Sequence, residues 1–294
     1  MEPNANHAKR RPRHRRGDTD DLPLELQRRD RDILKLIYDY RFIPSPLIQF
    51  LISGSDQRIL RRLQKLFHHG YLDRVIIATN EPFVYALGNK GADELAQFYG
   101  IDRGKIDWTT KNREAKERYL DHTLMITRFR ATLTLALQNN PDTRILSWVP
   151  EGELKDEVMI QGEGQQRMRA PLIPDAFFTL EDQGGEMYFF LEADQSTMTN
   201  QRYLMKMKAY FQYWKQGKHK EKHNIESFRV LTITKSEARK ENLRKITKEA
   251  DDRKVGSAMF LFTSEEHYNP TDPASILRPV WQTPKDDTLH HLLE

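Results

Sequence analysis

Apolar residues near the front of the chain recur every three or four positions, the period of a helix with one buried face. Between Leu26 and Ile43 the run DRDILKLIYDYRF sets Ile33, Leu36, Ile37 and Tyr40 on one stripe, and Pro44 follows where a helix does not continue. SPLIQFLIS then predicts a short second helix with Ser45 as its N-cap, Pro46 at its first position and Gly54 beyond its end. The third segment, SDQRILRRLQKLFHHG, divides its residue types most sharply. Ile59, Leu60, Leu63, Leu66 and Phe67 form an apolar stripe, and Arg58, Arg61, Arg62, Lys65 and His69 occupy the opposite side, with Ser55 and Gly70 as its caps.

Two β-rich runs come next, YLDRVIIA and FVYALG, joined by the hairpin-length turn TNEP. Three helices followed by a hairpin is the order of a winged helix-turn-helix domain. In that arrangement the third helix enters the major groove of duplex DNA, and Arg58, Arg61, Arg62, Lys65 and His69, with Arg74 on the hairpin, are the expected DNA-binding residues. A basic helix face is otherwise only a solvated face, and winged helices also serve as protein-docking modules. NKGADELAQFYG, residues 89–100, predicts a closing helix, and the drop in apolar density over 102–112 predicts a linker. The expected domains are a basic tail over 1–21, a winged helix over 22–101 and a second domain over 113–294.

Behind the linker, RYLDHTLMITRFRATLTLALQN reads as a long helix with more than one apolar face, and then the texture changes to strands. RILSWVPEGEL, PLIPDAFFTL and EMYFFLEAD are three of them, with a turn over residues 183–185 between the last two. A helix over TNQRYLMKMKAYFQYWKQG, with Leu204, Met207, Phe211 and Trp214 as its buried stripe, leads to FRVLTIT, a helix over SEARKENLRKITKEA, and SAMFLFT. This order predicts a mixed sheet covered on both faces. The run FFLEAD ends its apolar stretch on Glu192 and Asp194, which share one face of the strand and repel unless a cation, a metal or water stands beside them. A hairpin between the second and third strands would bring Asp175 next to them, with Glu151 close by. Asp194 or Thr197 is alternatively an N-cap of the following helix.

Composition narrows the picture. The chain has 294 residues, net charge +4 and no cysteine, so structural disulfides and thiolate metal sites are excluded. Without an apolar run near membrane length or a secretory signal, a cytoplasmic protein with no membrane partner is the expectation. The segment AKRRPRHRRGD concentrates Lys9, Arg10, Arg11, Arg13, Arg15 and Arg16 and is expected to be disordered, as a solubilising tail or a phosphate-tracking arm. Neither a phosphate-binding GxxxxGK[ST] loop nor GxGxxG, HExxH or GxSxG occurs, which argues against nucleotide hydrolysis, hydride transfer, zincin and α/β-hydrolase chemistry. The prolines and apolar residues of HYNPTDPASILRPVWQTPKDDTLHHLLE predict a last strand or an arm packed on a neighbouring subunit.

Pro174-Asp175, with Glu192 seventeen residues after Asp175, resembles the PD-(D/E)XK nuclease pattern, and the strand and helix order fits its core. The lysine of that pattern falls at Asp194 here, and a lysine on the next helix, Lys206 or Lys208, is the substitute. The resemblance implies Asp175, Glu192 and Lys206 as catalytic candidates, and Asp175, Glu192 and Asp194 as ligands of Mg²⁺ in an active enzyme. Over roughly residues 28–262 the RDRDIL, RRLQKLFHHGYLDR, PFVYALGNKGADEL, DHTL, PDAFF, FFLEADQST and KMKAY stretches also resemble the replication-relaxation family of bacterial plasmids and mobile elements. The fold expected is therefore α+β: a winged helix-turn-helix domain followed by a mixed-sheet PD-(D/E)XK nuclease-like domain. Double-stranded DNA is the expected partner, with a homodimer and replication or mobilisation proteins as further ones. Three functions remain open: a DNA-binding maintenance protein with an inactive nuclease-like domain, an active Mg²⁺-dependent endonuclease, and a transcriptional regulator with a C-terminal sensor domain.

Overall fold

The computed structural model describes residues 16–17, 24–78, 80–106, 117–161, 167–251 and 253–293. It divides into two compact units, Met1–Thr127 and Arg128–Glu294.

In the first unit, helices α1 (Arg28–Tyr40), α2 (Ser45–Leu51) and α3 (Asp56–His68) precede a hairpin of β2 (Leu72–Val75) and β3 (Val84–Leu87), and α4 (Asn89–Tyr99) follows. A short strand β1 (Ile43–Pro44) pairs with β3, giving an antiparallel sheet in the order β1-β3-β2. The buried stripe of α1 runs through Ile33, Leu34, Ile37 and Tyr40, with Leu34 rather than Leu36 completing it. Ser45 is the first residue of α2 and not its cap; Pro44 holds that place, and the Ser45 N–H donates to Phe83 O at 2.9 Å. Gly70 closes α3 with φ +84°, a conformation that favours glycine, while the N–H of Tyr71 returns to Leu66 O at 2.9 Å.

Residues 103–106 of the expected linker form a 3₁₀ turn with Ile106 buried, and 107–112 lie outside the described residues. The division between units falls later, inside the long helix α5 (Glu117–Gln138). The reason is packing: Leu120 joins Phe42, Val84 and Ala86 in one core, and the Thr127 hydroxyl donates to Phe42 O at 2.9 Å.

The second unit is built on a seven-stranded mixed sheet. Strands β4 (Arg144–Pro150), β7 (Ala176–Asp182) and β8 (Gly185–Asp194) are antiparallel neighbours, whereas β8, β9 (Arg229–Thr234) and β10 (Phe260–Ser264) run parallel. Parallel neighbours need crossovers. Helices α6 (Asn200–Lys215) and α7 (Lys218–His223) make the first, and α8 (Glu237–Thr247) the second. The tail supplies a last part of this same sheet, as β11 (Trp281–Gln282) and β12 (Leu289–His290) beside β10.

Alternate residues of the central strands are apolar on both faces, which is why their sequence runs together instead of alternating. Phe178 packs with Phe129 and Trp148 on one face, and Phe177 and Phe190 pack with each other on the opposite one. A two-stranded hairpin, β5 (Asp156–Gln161) with β6 (Arg167–Leu172), was not expected; its Val158, Ile160, Ala170 and Leu172 join the core with Met207, Tyr210 and Phe211 of α6. Trp214, expected on the buried stripe of α6, is 46% exposed; Tyr203, Tyr210 and Tyr213 are buried instead. Among the described residues no helix is long and apolar enough to cross a membrane.

Candidate functional site

Helix α3 buries Ile59, Leu63, Leu66 and Phe67 against its own unit. Arg58, Arg61 and Lys65 stand exposed, spaced three and four residues apart so that they share a helix face, and none has an ion-pair partner among the described residues. Gln57 and Gln64 are exposed too, and Leu60, 42% exposed, lies outside the buried stripe.

The other expected contacts do not belong to this open face. Arg62 turns inward to Asp30, which is fully buried on α1: its Nε donates to Oδ1 at 2.7 Å and an Nη to the second oxygen, with a further bond to Glu25 O at 3.2 Å. Its guanidinium neutralises a buried carboxylate. Arg74 is sandwiched by rings, 4.2 Å from the Phe67 centroid and 4.6 Å from that of Phe83, and its Nε donates to the Tyr85 hydroxyl at 3.2 Å. Burial, aided by the positive charges of Lys90 and Lys65, holds the His69 imidazole below its usual range, which disfavours its charged form.

An anchor not foreseen sits at the far end of α3. Arg16 pairs with Asp73 and donates to Phe67 O at 2.9 Å and Leu72 O at 3.0 Å, and the Gly17 N–H donates to His68 Nδ1 at 2.8 Å. This corrects the expectation of disorder for these two residues; the rest of the basic segment lies outside the described ones.

In the second unit, the ladder ends at Ala176↔Leu191, which leaves Asp175 and Glu192 next to each other at its end, and Pro150↔Ala176 brings Glu151 to the same end of the sheet. Asp175 is fastened by its backbone N–H to Leu191 O at 3.0 Å, and its Oδ2 accepts from the Ala193 N–H at 2.7 Å. Glu192 is 4% exposed, and its two oxygens accept from the Lys206 ammonium and the Tyr210 hydroxyl, four residues apart on α6. Lys206, not Lys208, is thus the lysine brought to these acids.

The charges are strongly coupled. Burial, reinforced by the charge of Asp175, pushes the Glu192 carboxyl up to about 7 although Lys206 and Tyr210 pull it back. Burial opposes the charge of Lys206, but Glu192, Asp175 and Glu151 outweigh it and raise its affinity for the proton.

Asp194 stands apart from this group. Arg239 of α8 grips it with both arms of the fork, Nε to Oδ1 at 2.7 Å and Nη2 to Oδ2 at 3.1 Å, and Ser196 N–H adds a bond at 2.9 Å. Arg239 also binds Asn200 Oδ1 and Met198 O, so Asp194 ties the β8–α6 turn to α8. It does not cap α6, and both its oxygens are engaged by Arg239. Thr199 caps α6, accepting from Arg202 N–H at 3.3 Å.

Of the sequence candidates, Asp175, Glu192 and Lys206 therefore do meet. With Asp194 held by Arg239 and Glu192 by Lys206 and Tyr210, the arrangement does not fit Mg²⁺, and among the described residues no three His, Asp or Glu side chains gather as a metal site. The roles of Tyr210 and Arg239 escaped sequence reasoning. Arg239 lies 45 positions from Asp194 in the chain, with no local pattern to link them.

A model of the family described as Replication-relaxation matches residues 34–227. No curated protein matches the sequence. Among solved structures, the restriction endonuclease FokI is matched at 9% identity with a TM-score of 0.29 over 83% of this chain. The chain spans 43% of that protein's length, and a superposition so loose does not identify a fold.

Proposed function

The chain belongs to the replication-relaxation family, and from that premise we propose that it is a DNA-binding protein of plasmid or mobile-element replication or maintenance. Its first unit, taken as a winged helix, reads double-stranded DNA with α3. The observation that carries this reading is the exposed face of Arg58, Arg61 and Lys65 on a helix whose other face is buried. Phosphate contacts from such a face position a protein on the duplex, and arginine additionally matches the acceptor edge of guanine.

The second unit is read as a nuclease-like scaffold without competent cutting chemistry. Asp175, Glu192 and Lys206 keep the relative placement such a scaffold implies, but Lys206 and Tyr210 occupy both oxygens of Glu192. A protonated or ion-paired Glu192 serves to join β8 to α6. Replication or mobilisation proteins, and a second copy of the chain, are the partners this role would call on.

The test is a titration of labelled duplex DNA with wild-type protein and with Arg58, Arg61 and Lys65 replaced together by alanine, followed by incubation of plasmid DNA with Mg²⁺ or Mn²⁺. Loss of duplex binding in the variant with intact plasmid in every lane supports the reading. Unchanged binding overturns its first half, and metal-dependent cutting that Glu192→Gln abolishes overturns its second.

A further inference from the structure

We propose that the second unit carries a stacking site for one base of an unpaired DNA strand, in a recess between α6 and the loop that follows α8. This inference deepens the DNA-binding reading and rests on it. Helix α6 buries its aromatic residues at Tyr203, Tyr210, Phe211 and Tyr213, yet leaves Trp214 46% exposed.

The Trp214 indole lines a recess of about 280 Å³ together with Phe211, Phe228, Asp251, Arg253 and Gly256. Such a volume lies just below the roughly 300–1,000 Å³ of sites for drug-sized ligands and suits a single flat ring. Phe211 and Trp214 lie 6.2 Å apart with their planes tilted by 34°, so they offer neighbouring faces of one aromatic wall. Lys215 holds its ammonium 4.7 Å from the Phe211 ring. The Arg253 guanidinium has no partner among the described residues and stands exposed at the recess.

Local hydrogen bonds tie Arg253 and Lys254 to Asp251. Lys254 takes a left-handed φ of +55° and donates its N–H to Asp251 O at 2.9 Å, and the Asp251 carboxylate accepts from the Arg253 N–H at 3.2 Å. Gly256, at φ +82°, approaches the Pro284 backbone so closely that a Cβ there would lie 2.7 Å from it. An aromatic wall with guanidinium and ammonium groups beside it matches the two parts of a nucleotide. The base stacks on the rings and the phosphate meets the cations. With Asp251 buried, the exposed Arg253 guanidinium favours a strand that carries phosphate over a neutral apolar partner, and stacking favours an unpaired base because a paired one hides its face in the duplex.

The experiment titrates full-length protein with a labelled oligothymidylate and, in parallel, with the labelled duplex. Trp214→Ala and Arg253→Ala are each expected to weaken oligothymidylate binding about tenfold, the scale of one stacked base. Trp214→Phe should retain most of it, and duplex affinity should stay as in wild type. Unpaired-strand affinity that is unchanged in both alanine variants overturns the proposal, as does a change in sedimentation alone, which would make the recess a contact between copies. Failure here leaves the α3 reading intact, since that reading fails only if duplex binding survives the loss of Arg58, Arg61 and Lys65.

Discussion

Replacing Glu192 with glutamine removes a titration while keeping the shape of the side chain and one of its two acceptor oxygens. A Glu192 carboxyl raised from 4.5 to about 7 retains its proton in the fold over a pH range in which the unfolded chain releases it. Its contribution to stability is therefore complete below about pH 4.5 and is lost as pH rises through about 7. The shift of roughly 2.5 units corresponds to about 3 kcal/mol, at about 1.4 kcal/mol per unit. Glu192→Gln should accordingly gain on wild type by roughly 2 to 3 kcal/mol between about pH 5 and pH 8. Urea unfolding followed by tryptophan fluorescence reads this well, because Trp148, Trp214 and Trp281 all lie in the second unit. Acids away from Asp175 and Lys206, which share their charge with Glu192, titrate alike in both proteins, so the difference reports this coupled group. A gap that is flat with pH, or that closes in the opposite direction, would refute a buried acid stabilised chiefly in its neutral form.

Further outcomes follow from the packing. Arg62→Ala should cost the first unit about 3 to 5 kcal/mol in urea unfolding, because it leaves the buried Asp30 carboxylate without its partner; a loss of DNA binding without a loss of stability would contradict its structural role. Gly91→Ala should cost about 1 to 3 kcal/mol despite alanine's better helix propensity, since its Cβ would come 2.3 Å from Tyr71 O; a gain in melting temperature would contradict this. Asp194→Ala should weaken the second unit, with the β8–α6 turn becoming sensitive to proteolysis as Arg239 loses its fork.

Much of the architecture was legible because periodicity and punctuation agree. Helix α3 shows this: Ser55 before it and Gly70 after it mark its extent, and the stripe at three- and four-residue intervals marks its buried side for every apolar member except Leu60. The meeting of Asp175 with Glu192 was legible for a similar reason, since the turn at 183–185 sets the register of β7 with β8. Missed features depend on contacts distant in sequence. Arg62 looks like its neighbours Arg58 and Arg61, and only the buried Asp30 of another helix distinguishes it. Arg74 reads as a hairpin cation until Phe67, Phe83 and Tyr85 surround it. The β5–β6 hairpin was overlooked because its strands carry few apolar residues, and Val158, Ile160, Ala170 and Leu172 become buried only when α6 lies across them.

The central claim is that three cations on α3 hold duplex DNA, and the salt dependence of binding measures it most directly. If Arg58, Arg61 and Lys65 each neutralise one phosphate, their joint replacement by alanine should lower the slope of log affinity against log salt by about 2.7, from about 0.9 per contact. The same variant should unfold like wild type, because all three side chains are exposed. A slope equal to that of wild type would contradict the account, even if the absolute affinity had changed.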